Sequence, residues 1–144
     1  MKTTLLVLFA LAFFHPYHNT NSDAIIGIWQ SGNGKGHIQI FKQNGKYHGK
    51  IIWLKEPLDK VTGHPKLDNK NPDPSKRNVP IMGMVVMRDF NYEDGEWTNG
   101  HIYDPSGGKE YKAYLKLKDI NTLLVRGYIG ISLIGKTDTW TRIR

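Results

Sequence analysis

Apolar and polar residues alternate in short runs along most of this chain, and the runs end at Gly, Asn, Asp or Pro. The clearest run is 111–117, where Tyr111, Ala113, Leu115 and Leu117 alternate with Lys112, Tyr114 and Lys116. Successive side chains of a strand point to opposite faces, so this segment has one buried face and one solvated face. No window keeps an apolar 3.6-residue period over the roughly twelve residues that an amphipathic helix requires. The pattern predicts eight strands, at about 25–31, 36–43, 46–54, 81–90, 96–104, 109–118, 121–130 and 135–143.

Turn chemistry fixes the pairing of several of them. Asn44-Gly45 between two alternating runs is the signature of a type I′ hairpin turn, which needs positive φ at both central residues. It sets Lys42 opposite Tyr47, Ile40 opposite Gly49, Ile38 opposite Ile51 and Gly36 opposite Trp53. The apolar residues of both strands then share one face, and His37, Gln39, Phe41 and Lys50 take the other. Asp94-Gly95 does the same for the next hairpin and sets Tyr92 opposite Trp97. Reflecting the last two strands about Ser132 sets Arg126 opposite Asp138 and Leu124 opposite Trp140. That is an ion pair beside a tryptophan, buried if its face is the inner one and an ordinary exposed cross-strand pair if it is not. The seventh strand is apolar at both parities around Leu123, Leu124 and Val125, so pattern assigns it no inner face.

Eight sequential strands joined by hairpins hide their edges by closing on themselves. The fold expected is all-β: a single small antiparallel up-and-down β-barrel of about eight strands, with a two-sheet sandwich as the competing architecture. Such a barrel has an interior that side chains just fill or that holds one small ligand. The long connection from Lys55 to Pro80 is the exception to the short turns, and connections of that length usually carry function.

Ahead of the first strand, Met1-Lys2 and the apolar run Leu5 to Phe14 lead into polar and helix-breaking residues, His15 to Ser22. These are the parts of a secretory signal peptide, and the run is too short for a permanent membrane helix, which needs about 20 residues. Residues 1–22 are therefore expected to be a leader and 23–144 a single barrel domain, exported to the periplasm or the medium. There is no cysteine, so neither a lipid-modified N-terminus, a disulfide nor a thiolate metal site is available.

Composition changes the picture less. The net charge is +7, or +6 without the leader, but the lysines and arginines are dispersed, with no block of five. Dispersed charge reads as solubilising surface, and nucleic acid is not an expected partner.

The segment from Asp68 to Asn78 is rich in Asx residues and carries Pro72 and Pro74. It lacks the glycine and terminal glutamate of a calcium loop, so a stiff loop covering the barrel mouth is expected, with Arg77 as its anchor or a ligand contact. Asp104 to Lys109 is glycine-rich, but its spacing is not that of a phosphate loop and no helix follows, which leaves a tight turn. His37 and His48 share a face about four residues apart, roughly 14 Å, too far for a common ion. No metal or cofactor is expected. Nucleophile elbows and metal-protease helices are absent, and no carboxylate pair stands out for catalysis.

From Ile26 to Arg144 the chain resembles an exported bacterial family known only as domain of unknown function 2147. The likeness is carried by Gly27-Ile-Trp29, Tyr47 to Trp53, Asp68 to Arg77, Gly100 to Pro105, Gly108-Lys109 with Tyr111, Arg126 to Gly130 and Thr139 to Arg142. The resemblance implies export and a compact lipocalin-like barrel, and brings no activity or ligand with it.

The leading functional expectation is a non-enzymatic binding module holding a compact ligand within a site framed by Arg77, Tyr103, Lys109, Tyr111, Arg126 and Trp140. Aromatic bodies with a few polar groups suit small ligands, and the cations favour an anionic group. The alternative is an interaction protein of the cell envelope. It would be peripheral rather than membrane-spanning, touching an envelope protein or a membrane surface through the apolar tip Ile131, Leu133 and Ile134. An envelope-polymer enzyme is the third reading.

Overall fold

The computed structural model describes residues 21–144. Residues 1–20 of the expected leader lie outside that range, whereas Asn21 and Ser22 are part of the folded structure. Eight strands follow: β1 Gly27–Gln30, β2 Gly36–Gln43, β3 Lys46–Leu54, β4 Val85–Glu93, β5 Glu96–Asp104, β6 Lys109–Asp119, β7 Thr122–Tyr128 and β8 Gly135–Arg142. Each pairs antiparallel with its neighbours in sequence, and β8 returns to β1, so the sheet is a closed barrel. The sandwich alternative is excluded.

The Asn44-Gly45 and Asp94-Gly95 turns hold φ of 52° and 75°, and of 49° and 84°, as type I′ geometry requires. They give the expected pairs Lys42 with Tyr47, Ile40 with Gly49, Ile38 with Ile51 and Tyr92 with Trp97. One expected pair is wrong: Gly36 faces Leu54, and Trp53 faces His37. A bulge at Ile52 supplies one extra residue, which turns Leu54 toward the core and lets Trp53 stack on His37 outside, ring centroids 4.2 Å apart.

The last hairpin also departs from expectation by one residue. Arg126 pairs with Thr137, Val125 with Asp138, Leu124 with Thr139 and Leu123 with Trp140. The physical reason is the core: Leu123 and Trp140 are both buried, and a one-residue slip would have set Trp140 against an outward position. β7 therefore turns Leu123 and Val125 inward, and Arg126 points out. No Arg126–Asp138 ion pair forms; Arg126 binds the β7–β8 connection, and Asp138 accepts a hydrogen bond from the Trp140 indole at 2.7 Å.

The N-terminal segment closes one end. A one-turn 3-10 helix, Ser22–Ile25, is capped by the Asn21 side chain, which accepts from the Asp23 amide. Ile25 is fully buried, and its carbonyl accepts from the Trp29 indole at 2.9 Å. The Trp97 indole donates to the Ser22 carbonyl at 3.0 Å, and the Tyr47 hydroxyl donates to Asp23 at 2.6 Å. Behind this plug, Trp29, Tyr47, Phe90, Trp97 and Leu115 fill the barrel axis.

Candidate functional site

The up-and-down topology puts the connections β1–β2, β3–β4, β5–β6 and β7–β8 at the end opposite the plug. The longest, residues 55–84, is tied to the barrel at both ends of its path. Gly83 donates to the Ile51 carbonyl, and Ile81 and Met84 pack on the core. Within it, Leu67 bridges to Pro80 and Asp68 donates its amide to Val79, making a pinched loop from 68 to 79.

The tip of that loop is built from Asx turns. Asn71 accepts the Asp73 amide, and Asp73 accepts both the amide and the hydroxyl of Ser75. Those donors hold the Asp73 carboxyl below its ordinary range. Arg77 donates to the Asn71 carbonyl at 2.8 Å, so its role is the anchor rather than an exposed ligand contact. The segment expected to cover the mouth is fixed at the rim and along the outer wall. Lys70 donates to the Ser106 carbonyl, and its own carbonyl sits where a Cβ on Gly108 would be. The Asp104 to Lys109 stretch is the expected tight turn, with Gly108 at φ 65°.

Asp68 is the one buried charged residue among the described residues, at 1 % exposure. The Tyr103 hydroxyl donates to one of its carboxylate oxygens at 2.7 Å, and the Asn71 amide donates to the other at 2.7 Å. Burial, and then the neighbouring Asp68, push the Tyr103 phenol up to about 12. The pair thus pins the loop to the outer face of β5.

Between loop and wall lies a cavity of about 370 Å³. Pro72, Val79, Met84 and Val85 give it an apolar side, and Lys76 and Arg88 bring cations. Arg88 projects outward from β4 and pairs with Glu110 on β6 and with Asp89 at 3.6 Å. Glu110 and the buried Asp68 also line the cavity, so its two cations stand against two carboxylates, and Lys76 is the cation that forms no ion pair among the described residues. A second concavity, about 480 Å³, lies on the outer face of β5–β7 among Glu96, Thr98, Tyr114 and Tyr128. Both lie outside the barrel wall, whereas the expectation had been a ligand within it.

The six residues expected to frame one site are dispersed. Tyr103 lines the cavity, and Arg77 holds the loop above it. Lys109 is exposed at the start of β6, and Tyr111 is half-buried on the inner face with its Cβ side toward Gly127. Trp140 is in the core, and Arg126 serves the β7–β8 connection. Sequence reasoning missed Asp68, Lys76 and Arg88. One signal was available: Val85, Val86 and Met87 are apolar at both parities, which for a barrel strand means that the outer face is covered too.

An eight-stranded antiparallel barrel with a plugged end and loops gathered at the other defines a lipocalin-like protein. The chain belongs to the bacterial family described as "Uncharacterized protein conserved in bacteria (DUF2147)", which matches residues 27–142. It is also similar to a solved structure described as "Protein HP1028 from the human pathogen Helicobacter pylori belongs to the lipocalin family". The two share 25% identity and superpose with a TM-score of 0.72, over 83% of this chain and 82% of that one. No curated protein matches the chain.

Proposed function

We propose that this chain is an exported, non-enzymatic binding module whose ligand is a small molecule with an apolar body and an anionic group. The site is the cavity between the 68–79 loop and the outer wall of β4–β6. The observation that carries the reading is the cost of building it. A carboxylate at 1 % exposure is retained in a surface loop, satisfied by Tyr103 and Asn71. The result is a shaped space with an apolar side, the cation Lys76 and the Arg88–Glu110 pair, whose guanidinium an anionic ligand would share. Export is supported by the charged start, apolar run and polar exit of residues 1–22, and would place the protein in the periplasm or the medium.

The test is native mass spectrometry of the protein purified from its own cells, wild type against Arg88→Gln/Lys76→Gln. A non-covalent mass present in the wild type and lost in the double variant supports the reading. A bare wild-type protein under gentle conditions, or a bound mass indifferent to both substitutions, refutes it. The ordered apolar tip of the β7–β8 connection favours a second reading, in which the chain also touches a surface of the envelope.

A further inference from the structure

The β7–β8 connection, residues 129–134, presents four large aliphatic side chains to solvent: Ile129 at 66 %, Ile131 at 59 %, Leu133 at 85 % and Ile134 at 69 % exposure. Single exposed aliphatics are ordinary, but four within six residues form a patch that water penalises unless something covers it.

This tip has a defined shape. The Arg126 guanidinium reaches across from β7 and donates to the Ser132 carbonyl at 2.8 Å, to the Leu133 carbonyl at 3.4 Å and to the Thr137 hydroxyl at 3.0 Å. Ile134 donates its amide to Ile131, and Gly130 takes φ 77°. With the carbonyls of Ile131, Ser132 and Leu133 and the amide of Ile134 paired within the protein, the tip turns its aliphatic side chains outward. Each paired backbone group lowers the cost of bringing the tip to an apolar boundary, where unsatisfied polar groups are penalised.

Charge at the same end says what kind of medium. The four connections there carry seven lysines and arginines against four carboxylates, and one of those four, Asp68, is buried. The three hairpin turns at the opposite end hold a single charge, Asp94. An aliphatic tip that shares its end of the barrel with this cationic excess, six of the seven on the 55–84 connection, complements a bilayer whose surface is anionic and whose interior is hydrocarbon.

Resting on the second reading above, the geometry points to the loop end as a peripheral docking surface for an anionic phospholipid bilayer. Ile131, Leu133 and Ile134 enter the headgroup boundary, and Arg126 is the positioning residue that holds them there. The protein does not span the membrane through this contact, and the barrel stays in water.

The experiment is co-sedimentation of the full exported protein with vesicles of phosphatidylcholine alone or mixed with phosphatidylglycerol. Binding is expected to the mixed vesicles, weakening as salt is raised. It should fall about tenfold or more in Leu133→Ser/Ile134→Ser, since the lost transfer of two aliphatic side chains is of that order or greater. Both residues are exposed, so the thermal midpoint should stay unchanged and certify the fold. Arg126→Lys keeps the charge but loses the fork, and should also weaken binding; a purely electrostatic role would leave it intact. Absence of wild-type binding to mixed vesicles overturns the inference, as do equal binding to neutral vesicles and undiminished binding by the double variant. If vesicles fail but the double variant is released from its own envelope fraction, the lipid assignment falls and surface contact through the tip stands.

Discussion

The Arg142 guanidinium lies 4.2 Å from the centroid of the Trp29 ring, which it covers from the last strand. Its Nε donates to the Ile120 carbonyl at 2.8 Å, and its terminal nitrogens donate to Ile26 at 3.0 Å and Ala24 at 2.5 Å. One side chain thus joins the N-terminal plug, the β6–β7 turn and the barrel's seam. The seam is short: β1 and β8 share two paired positions, Trp29 with Arg142 and Gln30 with Thr141. Hydrogen bonds of Ile28 with Ile143 and Arg144 extend it past the strand end, and the Arg142 side chain adds to these.

Replacing Arg142 by Ala is expected to cost about 2–4 kcal/mol, from the lost cation–π contact and charge-assisted hydrogen bonds. Arg142→Lys should recover little of it, because an ammonium has no planar fork to reach three carbonyls while lying on an indole. Urea unfolding followed by tryptophan fluorescence measures this. A loss within about 0.5 kcal/mol, the level of ordinary surface substitutions, would mean that the seam is held by the backbone ladder alone.

At the same end, Asp23 accepts from the Tyr47 hydroxyl and from Lys42 at 3.1 Å. The Tyr47 bond first, then Lys42, lowers its pKa below the ordinary 3.8. A depressed folded pKa contributes stability that is present above pH 3.8 and is lost as pH falls through the lower folded value. Lys42 is raised above 10.5, chiefly by its bond to Asp23, so its contribution is present below that pH and is lost as pH rises through the folded value. Thermal midpoints of the wild type should therefore fall more steeply below pH 4 than those of Asp23→Asn. Parallel acid limbs for the two proteins would remove Asp23 from the account.

How much of this was legible in the sequence follows from what each signal encodes. Turn residues with positive φ are local, so Asn44-Gly45 and Asp94-Gly95 fixed two registers correctly. The bulge at Ile52 left no such mark, and neither did the centre of the six-residue β7–β8 connection, so the pairs beyond them were placed one residue out. The cavity was largely hidden because Asp68 and Tyr103 are 35 positions apart. Their meeting depends on a loop folding back over the wall, and alternation within strands says nothing about that. Tyr103 was singled out for its chemistry, but its partner and the side of the wall on which it acts were set by the tertiary fold.

Tyr103→Phe is expected to remove about 1–3 kcal/mol, because the buried Asp68 carboxylate then keeps only the Asn71 amide. The loop from 68 to 79 should loosen with it, seen as faster hydrogen exchange at the Asp68 and Val79 amides. A phenol raised from 10.0 to about 12 favours the folded state below pH 10, and that contribution is lost as pH rises through about 12. Ultraviolet titration should show one tyrosine ionising about two units late, and that step should be missing in Tyr103→Phe. A spectrum with all tyrosines titrating near 10 would contradict the Asp68–Tyr103 contact.

Two glycines on the inner face separate packing that can yield from packing that cannot. A Cβ on Gly100 would fall within the Phe90 ring, which lies flat over the strand. Phe90 is 1 % exposed and sits beside Asp89, whose φ of 65° marks an irregular point in β4, so the ring has no empty space to move into. A Cβ on Gly49 would meet Met87 Sδ at 2.8 Å and an Ile38 methyl at 2.9 Å. Methionine has three rotatable bonds and a soft sulfur, and can give way by changing rotamer, which leaves the stiffer Ile38 methyl as the contact that must shift by a few tenths of an ångström. Gly100→Ala should therefore cost about 2–3 kcal/mol, the upper part of the overpacking range, and Gly49→Ala about 1 kcal/mol. Double variants separate the two cases: Phe90→Ala should partly offset Gly100→Ala by removing the Cγ and Cδ atoms that the new methyl would meet, while Met87→Leu should aggravate Gly49→Ala by putting a branched chain in place of a flexible one. Urea midpoints of the four proteins and their double variants give the coupling energies directly. Equal costs at the two glycines would mean that Phe90 has as much freedom inside the barrel as Met87.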